Sequence, residues 1–423
     1  MRLFIIILIL CLSAIPVTSV GQVECDILQC KLDRLYFPVG EEALVFEHAP
    51  FVILTGTDTV YQGRVDHAYE GISVSTPVEG FFDTLSLDSL KVVIETAAID
   101  SSATIAIGTD IIGLDLLSPN RQIAESYAPT VTLRQYEHRS QMMQDFRSGF
   151  LDGYLSFECP GASTEGICTL QHMLPYIVAL VPNVGRQCNL SGQLTTALYY
   201  LYDPARLSLY FDGSVQAVNR FNLHSAKSNI LHSNNYRLFP YAPGRGKSLL
   251  SRLSFPPDSL SICASTRSLG RTAHYFADIL AQSFFRVRLD TDRDNANIYV
   301  EYIPVSKSVP STSMFALYHK LVQDTVGGIA ASEQVRLISH YLDYVARASE
   351  KGEGTVSSDY YAYLDRAERV MIEELGVFPL FQPIVIFSAY KSLRNVRFDN
   401  DGFLDLSEAF KVVMPTDPEG TTP

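Results

Sequence analysis

The stretch Tyr363-Leu364-Asp365-Arg366-Ala367-Glu368-Arg369-Val370-Met371-Ile372-Glu373-Glu374-Leu375-Gly376-Val377-Phe378-Pro379-Leu380-Phe381-Gln382-Pro383 decides the fold. Tyr360, Tyr363, Leu364, Ala367, Val370, Met371 and Leu375 recur every three or four residues, which predicts a helix over 359–375 with one apolar face. Gly376 suits the residue just past the helix end, where a left-handed backbone is needed. Pro379 then forbids continuation. Ile384–Phe387 reads as strand. A helix running straight into a strand is the signature of layered α/β structure.

The same alternation extends upstream. Thr130–Arg134 reads as a strand. Gln141–Phe150 follows as a helix, with Met142, Met143, Phe146 and Phe150 at helical spacing. Leu260–Cys263 reads as a strand. Arg271–Phe284 reads as a helix that buries Tyr275, Phe276, Ile279, Leu280 and Phe284. Phe285–Leu289 and Asn297–Ile303 are predicted strands. From Gln22 to Ser118 the chain is β-rich: Phe51–Leu54, Gly71–Ser75 and Leu90–Ile94 are short, rich in Val and Ile, and bounded by Gly, Asp, Ser or Pro. No internal repeat or low-complexity segment is present.

At the other end, Met1 and Arg2 precede an apolar run, Leu3 to Leu12, too short to span a bilayer, which needs about 20 residues. Val17 and Ser19, or Ser19 and Gly21, suit a signal-peptidase site, so residues 1–21 are expected to be a secretory leader. A lipid anchor on Cys11 is the lesser alternative, because Leu10 stands where a small residue is required. The remaining length, about 400 residues, exceeds one core and predicts two or more lobes. A hydrophobic share of 47% excludes a disordered chain. The net charge of −13 argues against nucleic acid, whose phosphates need clustered Lys and Arg. In an oxidising compartment Cys25, Cys30, Cys159, Cys168, Cys188 and Cys263 can form disulfides, and Cys159 and Cys168, bracketing a Pro/Gly/Ser-rich loop, are the favoured pair. No Cys-x-x-Cys pair occurs, so no zinc site is expected.

Three motifs imitate ion or phosphate sites. Asp399, Asp401, Gly402 and Glu408 fit a calcium loop whose first ligand would be Arg397, which has no oxygen to give. Asp290, Asp292, Asp294 and Glu301 have the right spacing but Asn295 at the glycine position, so a polar hairpin turn is expected. Gly244-Arg245-Gly246-Lys247-Ser248 has Tyr241 where a phosphate loop needs Gly, so Lys247 is placed at the start of a helix through Leu253. His224 and His232 stand eight residues apart, a spacing that fits neither a helical nor a hairpin pair. No Gly-x-Ser-x-Gly elbow or His-Glu-x-x-His pair is present. No catalytic residue, metal ligand or cofactor is therefore named, and the chain is not expected to be an enzyme.

Tyr363–Glu374 followed by Val377–Pro383 resembles the closing helix and return strand of extracytoplasmic solute-binding protein family 5, the peptide-, nickel- and opine-type receptors of ABC importers. Val396–Phe410 resembles that family's terminal segment, with Gly402 making a turn and Leu404 and Leu406 in a short terminal element. Further agreement comes in the same order: Met143–Asp152, Tyr241–Leu250 and Arg271–Leu280 with Phe285–Leu289. The resemblance covers about residues 125–423. At Ile303–Pro310 the family's aromatic and Asp-Pro element is missing, and no ligand-binding residue is carried over. The resemblance implies a two-lobed type II periplasmic-binding-protein fold with mixed sheets and two hinge crossings, near Ala197–Tyr202, where an aromatic strand is expected, and near Phe378–Gln382. It implies lobe 1 at 22–199, lobe 2 at 200–380 and a return to lobe 1 at 381–423. It also implies a monomeric, exported, periplasmic receptor that closes on a small solute, a peptide by the family's habit, and delivers it to an inner-membrane permease. The alternative is a diverged member that has lost uptake and acts as an envelope structural or sensory partner.

Overall fold

The computed structural model describes residues 21–31, 34–40, 43–56, 58–76, 90–100, 104–118, 130–158, 166–183, 188–221, 241–253, 260–283, 285–290, 296–325, 333–350 and 358–413. The leader through residue 20, Cys11, Cys159, His224, His232, Phe284, Asp292 and Asp294 lie outside them, and so do the expectations placed on them. The chain divides into two compact units, residues 1–105 with 392–395 and 409–423, and residues 106–391 with 396–408.

The first unit is β structure, as its composition predicts. Its strands are β1 (Gly21–Asp26), β2 (Gln29–Lys31), β3 (Arg34–Phe37), β4 (Pro50–Thr55), β5 (Asp58–Arg64), β6 (His67–Ala68), β7 (Ser73–Ser75), β8 (Leu90–Thr96) and β9 (Ala98–Asp100). One antiparallel sheet runs β1-β8-β4-β5 and a second β2-β3-β7-β6. The alternation of β8 puts Leu90, Val92 and Ile94 inside and Lys91 outside. The register sets Phe51 against Ile94 and Ile53 against Val92, so the apolar residues of both strands share one face. Phe37 packs edge-on against Phe51 at 5.0 Å.

The second unit is α/β. It holds β10 (Ile105–Thr109), β11 (Val131–Gln135), α1 (Arg139–Arg147), β12 (Gly153–Ser156), β13 (Ile167–Met173), β14 (Tyr176–Pro182), α2 (Cys188–Leu201), α3 (Pro204–Leu207), β15 (Val215–Ala217), α4 (Pro243–Leu250), β16 (Leu260–Ala264), α5 (Gly270–Ala281), β17 (Val287–Asp290) and β18 (Ile298–Pro304). Then come α6 (Thr312–Thr325), α7 (Glu333–Glu350), α8 (Ser358–Arg369) and β19 (Phe378–Tyr390). The chain ends with β20 (Leu393–Arg394), β21 (Arg397–Phe398), β22 (Leu404–Asp405) and β23 (Phe410–Val413). Of these, β20 and β23 belong to the first unit and form a sheet with β9. A ten-stranded mixed sheet runs β11-β10-β12-β19-β14-β18-β16-β17, with β13 and β15 also on β19. β14 and β18 are buried along nearly their whole length, as central strands covered on both faces must be.

The predicted elements at 130–147, 260–264, 270–281, 287–290 and 298–304 are present within a few residues. α1 is shorter than expected: it ends at Arg147, Gly149 turns left-handed at φ +76°, and Phe150 is exposed. Two expectations are corrected. Ala197–Tyr202 lies in and just after the helix α2, not in a strand. β17 and β18 both run parallel to β16 on its two sides, so the two strands do not pair as a hairpin.

The decisive stretch folds as read. Val370–Glu374 widens into a π turn after α8, with the Leu375 N–H donating to the Val370 carbonyl at 3.1 Å. Gly376 then turns at φ +74°. A Cβ there would stand 2.5 Å from the Gly192 carbonyl, so glycine is needed both for the turn and for the approach of this corner to α2. Tyr199 of α2 stacks on Phe378 at 4.3 Å, which fixes where β19 starts.

Candidate functional site

β19 organises the site. Ile384–Tyr390 pair with β13 on one edge, and Ile386–Ala389 pair with β12 on the other. The earlier residues of β19 pair with β14 and β15 in the same way. One continuous strand thus carries two sets of neighbours. The chain crosses between the sets twice, along β19 itself and at Leu174–Pro175, between β13 and β14. Gln382 marks the crossing: its side chain is buried and donates to the Leu174 carbonyl at 2.7 Å. The Leu174 N–H donates to the Pro383 carbonyl at 2.8 Å. The crossing expected near Phe378–Gln382 falls within β19; the strand expected at Ala197–Tyr202 to carry the other is absent.

On one edge of β19, β12 and β15 lie end to end. Ser156 is opposite Ile386, and Val215 is opposite Pro383. At the break Phe157 packs edge-on against Phe211 at 4.9 Å. Gly213, at φ +139°, comes so close to Phe157 that a Cβ would stand 2.4 Å from its carbonyl oxygen. Only glycine permits that approach.

Charge gathers at this break. β10 runs parallel to β12 and ends beside it, so Asp110 emerges next to Ser156, whose hydroxyl donates to Oδ2 of Asp110 at 3.1 Å. The other carboxylate oxygen, Oδ1, is buried without a hydrogen-bond partner among the described residues. Burial raises the Asp110 carboxyl above the usual carboxylate range, against the Ser156 bond and the positive charge of Arg139, while the Asp212 carboxylate pushes it further up. Arg139 is engaged by Glu158, and Arg271 by Asp212. On the side of β16 and β18, the Thr266 and Ser268 hydroxyls lie 2.9 Å apart, and those of Ser268 and Tyr302 lie 3.1 Å apart. Burial drives the Tyr302 phenol upward in pKa, so it stays neutral. β10 is thus followed directly by a carboxylate, Asp110, one of whose oxygens is buried with no hydrogen-bond partner among the described residues. Strand ends at such breaks are where open α/β sheets bind ligands.

The C-terminal turn is taken up by structure. Oδ1 of Asp399 accepts the N–H groups of Asp401, Gly402 and Phe403 at 3.0, 2.9 and 2.9 Å, and its Oδ2 accepts the Ser118 hydroxyl at 2.7 Å. Oδ1 of Asp401 reaches across to accept the Lys307 and Ser308 N–H groups at 2.6 and 2.9 Å and the Ser306 hydroxyl at 3.0 Å. His172 stacks on Phe398 at 5.2 Å. These carboxylates are occupied by amides, and Leu404 pairs in β22 as the terminal reading expected. Glu301, the last of the four acidic residues spaced from Asp290, is buried on β18 and paired with Lys320. Lys247 lies within the helix α4, which begins at Pro243. Among the described residues no group of three His, Cys, Asp or Glu side chains could hold a metal ion. Cys168 is exposed on β13; its expected partner is outside the described residues.

The sequence named no ligand-binding residue, and it missed Asp110. The available signal was an acidic residue placed directly after an apolar strand, Ile105–Thr109. Ser156 and Asp212 lie far along the chain, and nothing in the sequence places them beside it.

No family model matches the chain, and no curated protein matches it in sequence. Solved structures do. A periplasmic binding protein DppA associated with an ABC transporter of Helicobacter pylori, in complex with the peptide STSA, superposes with a TM-score of 0.51 at 14% identity over 67% of this chain and 57% of its own. The pheromone receptor PrgZ, described with its mode of peptide binding, gives 0.50 at 13% identity over 67% of this chain and 58% of its own. The chain thus matches under three fifths of each neighbour's length. At this identity the likeness is one of fold, and that fold is the type II periplasmic-binding-protein architecture the sequence led us to expect.

Proposed function

We propose that the chain is a diverged, shortened member of solute-binding protein family 5, an extracytoplasmic receptor that captures short peptides or a similar small solute for an ABC importer. The observation that carries this reading is β19, shared by two sets of strands and crossed again at Leu174–Pro175. Such a pair of crossings is what a hinge needs: the backbone bends at two points while the strands on each side stay paired. The lobe boundaries belong to the proposal. The sequence-based limit near residue 200 falls in or just after α2, so the first hinge point is taken at Leu174–Pro175 and the second at Gln382–Pro383. The receptor would act as a monomer in the periplasm, after export by the leader, and deliver its solute to an inner-membrane permease. Among the described residues no helix is long and apolar enough to cross a membrane. The proposed role is capture without catalysis, in keeping with neighbours that are binding proteins.

One observation favours the second reading, an envelope interaction protein without uptake. Ser306–Ser308, in the segment where the family carries its aromatic and Asp-Pro element, is committed to Asp401. A thermal-shift screen with di- to pentapeptides separates the two. A peptide at a hundred times its Kd adds about 2.7 kcal/mol to folding, a rise of several degrees in Tm. A flat response to every peptide and small solute, together with capture of an envelope protein, would replace the receptor reading with the second.

A further inference from the structure

We propose that the groove where α2, α3, α4 and α5 meet is a second ligand site, apart from the break on β19, and takes an amphipathic organic anion with a phosphate-type head and an apolar tail. Its volume is about 440 Å³, within the range of sites that hold small molecules. Leu201, Leu209, Ile279 and the rings of Tyr210, Tyr241 and Tyr275 supply its apolar wall. The Tyr210 and Tyr275 rings meet at 5.0 Å between centroids, inclined at 56°. The Tyr275 hydroxyl is committed to the backbone, accepting the Asp203 N–H at 2.8 Å and donating to the Asp203 carbonyl at 3.3 Å, so its ring is what remains for a ligand. Leu209 is 80% exposed and Tyr241 52%, open apolar surface that a tail laid along the groove would cover.

The charges on the wall select the head. Arg206 on α3 and Lys247 on α4 both line the groove and are exposed. Among the described residues neither side chain makes an ion pair. Two carboxylates share the wall. Asp203 is spent, because its Oδ1 accepts the Ala205 N–H at 3.0 Å and caps α3. Asp278 stays exposed on α5 and opposes an anion, which leaves two cations against one free carboxylate. The chain as a whole carries −13 and repels anions, so anion binding needs a local arrangement of this kind. Lys247 belongs to the segment that only imitates a phosphate loop; here it meets the head through its side chain alone, as a point charge. The groove is also distinct from the break on β19. Arg271, engaged there by Asp212, stands in the first turn of α5, whereas Ile279 is about 12 Å further along that helix.

Calorimetry on the full chain with octyl phosphate, kept below its micelle concentration, tests this. Inorganic phosphate supplies the head alone, and octyl glucoside the tail under a neutral head. Each is expected to bind about tenfold more weakly or worse, since each lacks half of the contacts. Arg206→Gln and Lys247→Gln should each weaken octyl phosphate about fivefold, the most an exposed ion pair supplies. Leu209→Ser should weaken it too. Asp278→Asn should strengthen it about twofold, because a like charge leaves the wall. All four side chains are exposed, and melting curves verify that the variants fold. A peptide found by the thermal-shift screen should leave the octyl phosphate Kd unchanged. If no peptide binds, the other arms still decide, so this site and the receptor reading fail separately. No binding, equal affinity for octyl glucoside, charge variants that bind as the wild type does, or displacement by the peptide overturns the proposal. Vesicles of phosphatidic acid in phosphatidylcholine distinguish a dissolved amphiphile from a membrane surface. Sedimentation with them that octyl phosphate does not reverse would mark the groove as a membrane contact, which also overturns it.

Discussion

Glu368→Ala is expected to lower the melting temperature by about 10 °C. Glu368 has no exposed surface, yet it accepts the Phe221 N–H at 2.6 Å and the Arg220 Nε–H at 2.8 Å. Arg220 also donates to Asp365 at 3.0 Å, on the same face of α8. Removing one partner of a buried pair strands the other, at a cost of about 3–5 kcal/mol, and each kcal/mol shifts Tm by roughly 2–4 °C for a large domain. Here the stranded groups are the largely buried guanidinium of Arg220 and the amide of Phe221. Glu368→Gln keeps the shape and one acceptor and should recover part of the loss. The consequence reaches the site, because Arg220 and Phe221 follow β15 within four residues. Amides of residues 215–219 should exchange faster in Glu368→Ala. A melt within 2 °C of wild type would mean that the charge cluster does not hold this segment.

Asp401→Asn should cost about 2 kcal/mol at neutral pH, because hydrogen bonds to a charged acceptor are worth roughly 1.5–3 kcal/mol. Burial tends to raise the Asp401 carboxyl, but bonds from Ser308, Ser306 and Lys307 outweigh it and hold the group below the usual carboxylate range. The sign of the pH dependence follows. A carboxyl with a depressed folded pKa contributes stability that is complete above the unfolded value of about 3.9 and is lost as pH falls through the folded value. The wild type and Asp401→Asn should therefore differ by a constant amount at pH 6–7 and converge below about pH 4. Urea unfolding across that range gives the comparison. A gap that persists to pH 2 would assign the effect to packing instead of charge.

The terminal helix and β19 were legible because their periodicity is unbroken and Gly376 and Pro379 punctuate it. The β-rich first unit was legible for the same reason, in strands whose buried face alternates. What failed has a physical cause in each case. Leu198-Tyr199-Tyr200-Leu201-Tyr202 reads as strand by composition, but α2 is packed nearly all round, with Leu194, Ala197, Leu198, Tyr199 and Tyr200 all buried. A helix with no polar face loses the period that identifies it. The segment after Asp290 is polar enough to predict a reversal, but composition cannot reveal that β16 lies between the two strands it joins. The candidate site was the least legible part. Asp110, Ser156 and Val215 meet only because β12 and β15 share one edge of β19, a register no local pattern encodes.

Hydrogen–deuterium exchange with and without a saturating tetrapeptide tests the central claim, that a solute is held where two sets of strands share β19. The account predicts new protection on both sides of the crossing, in residues 106–112 and in residues 213–219, with slower exchange along β19 between them. Calorimetric binding accompanied by protection on one side only, or by none in these three segments, would contradict it.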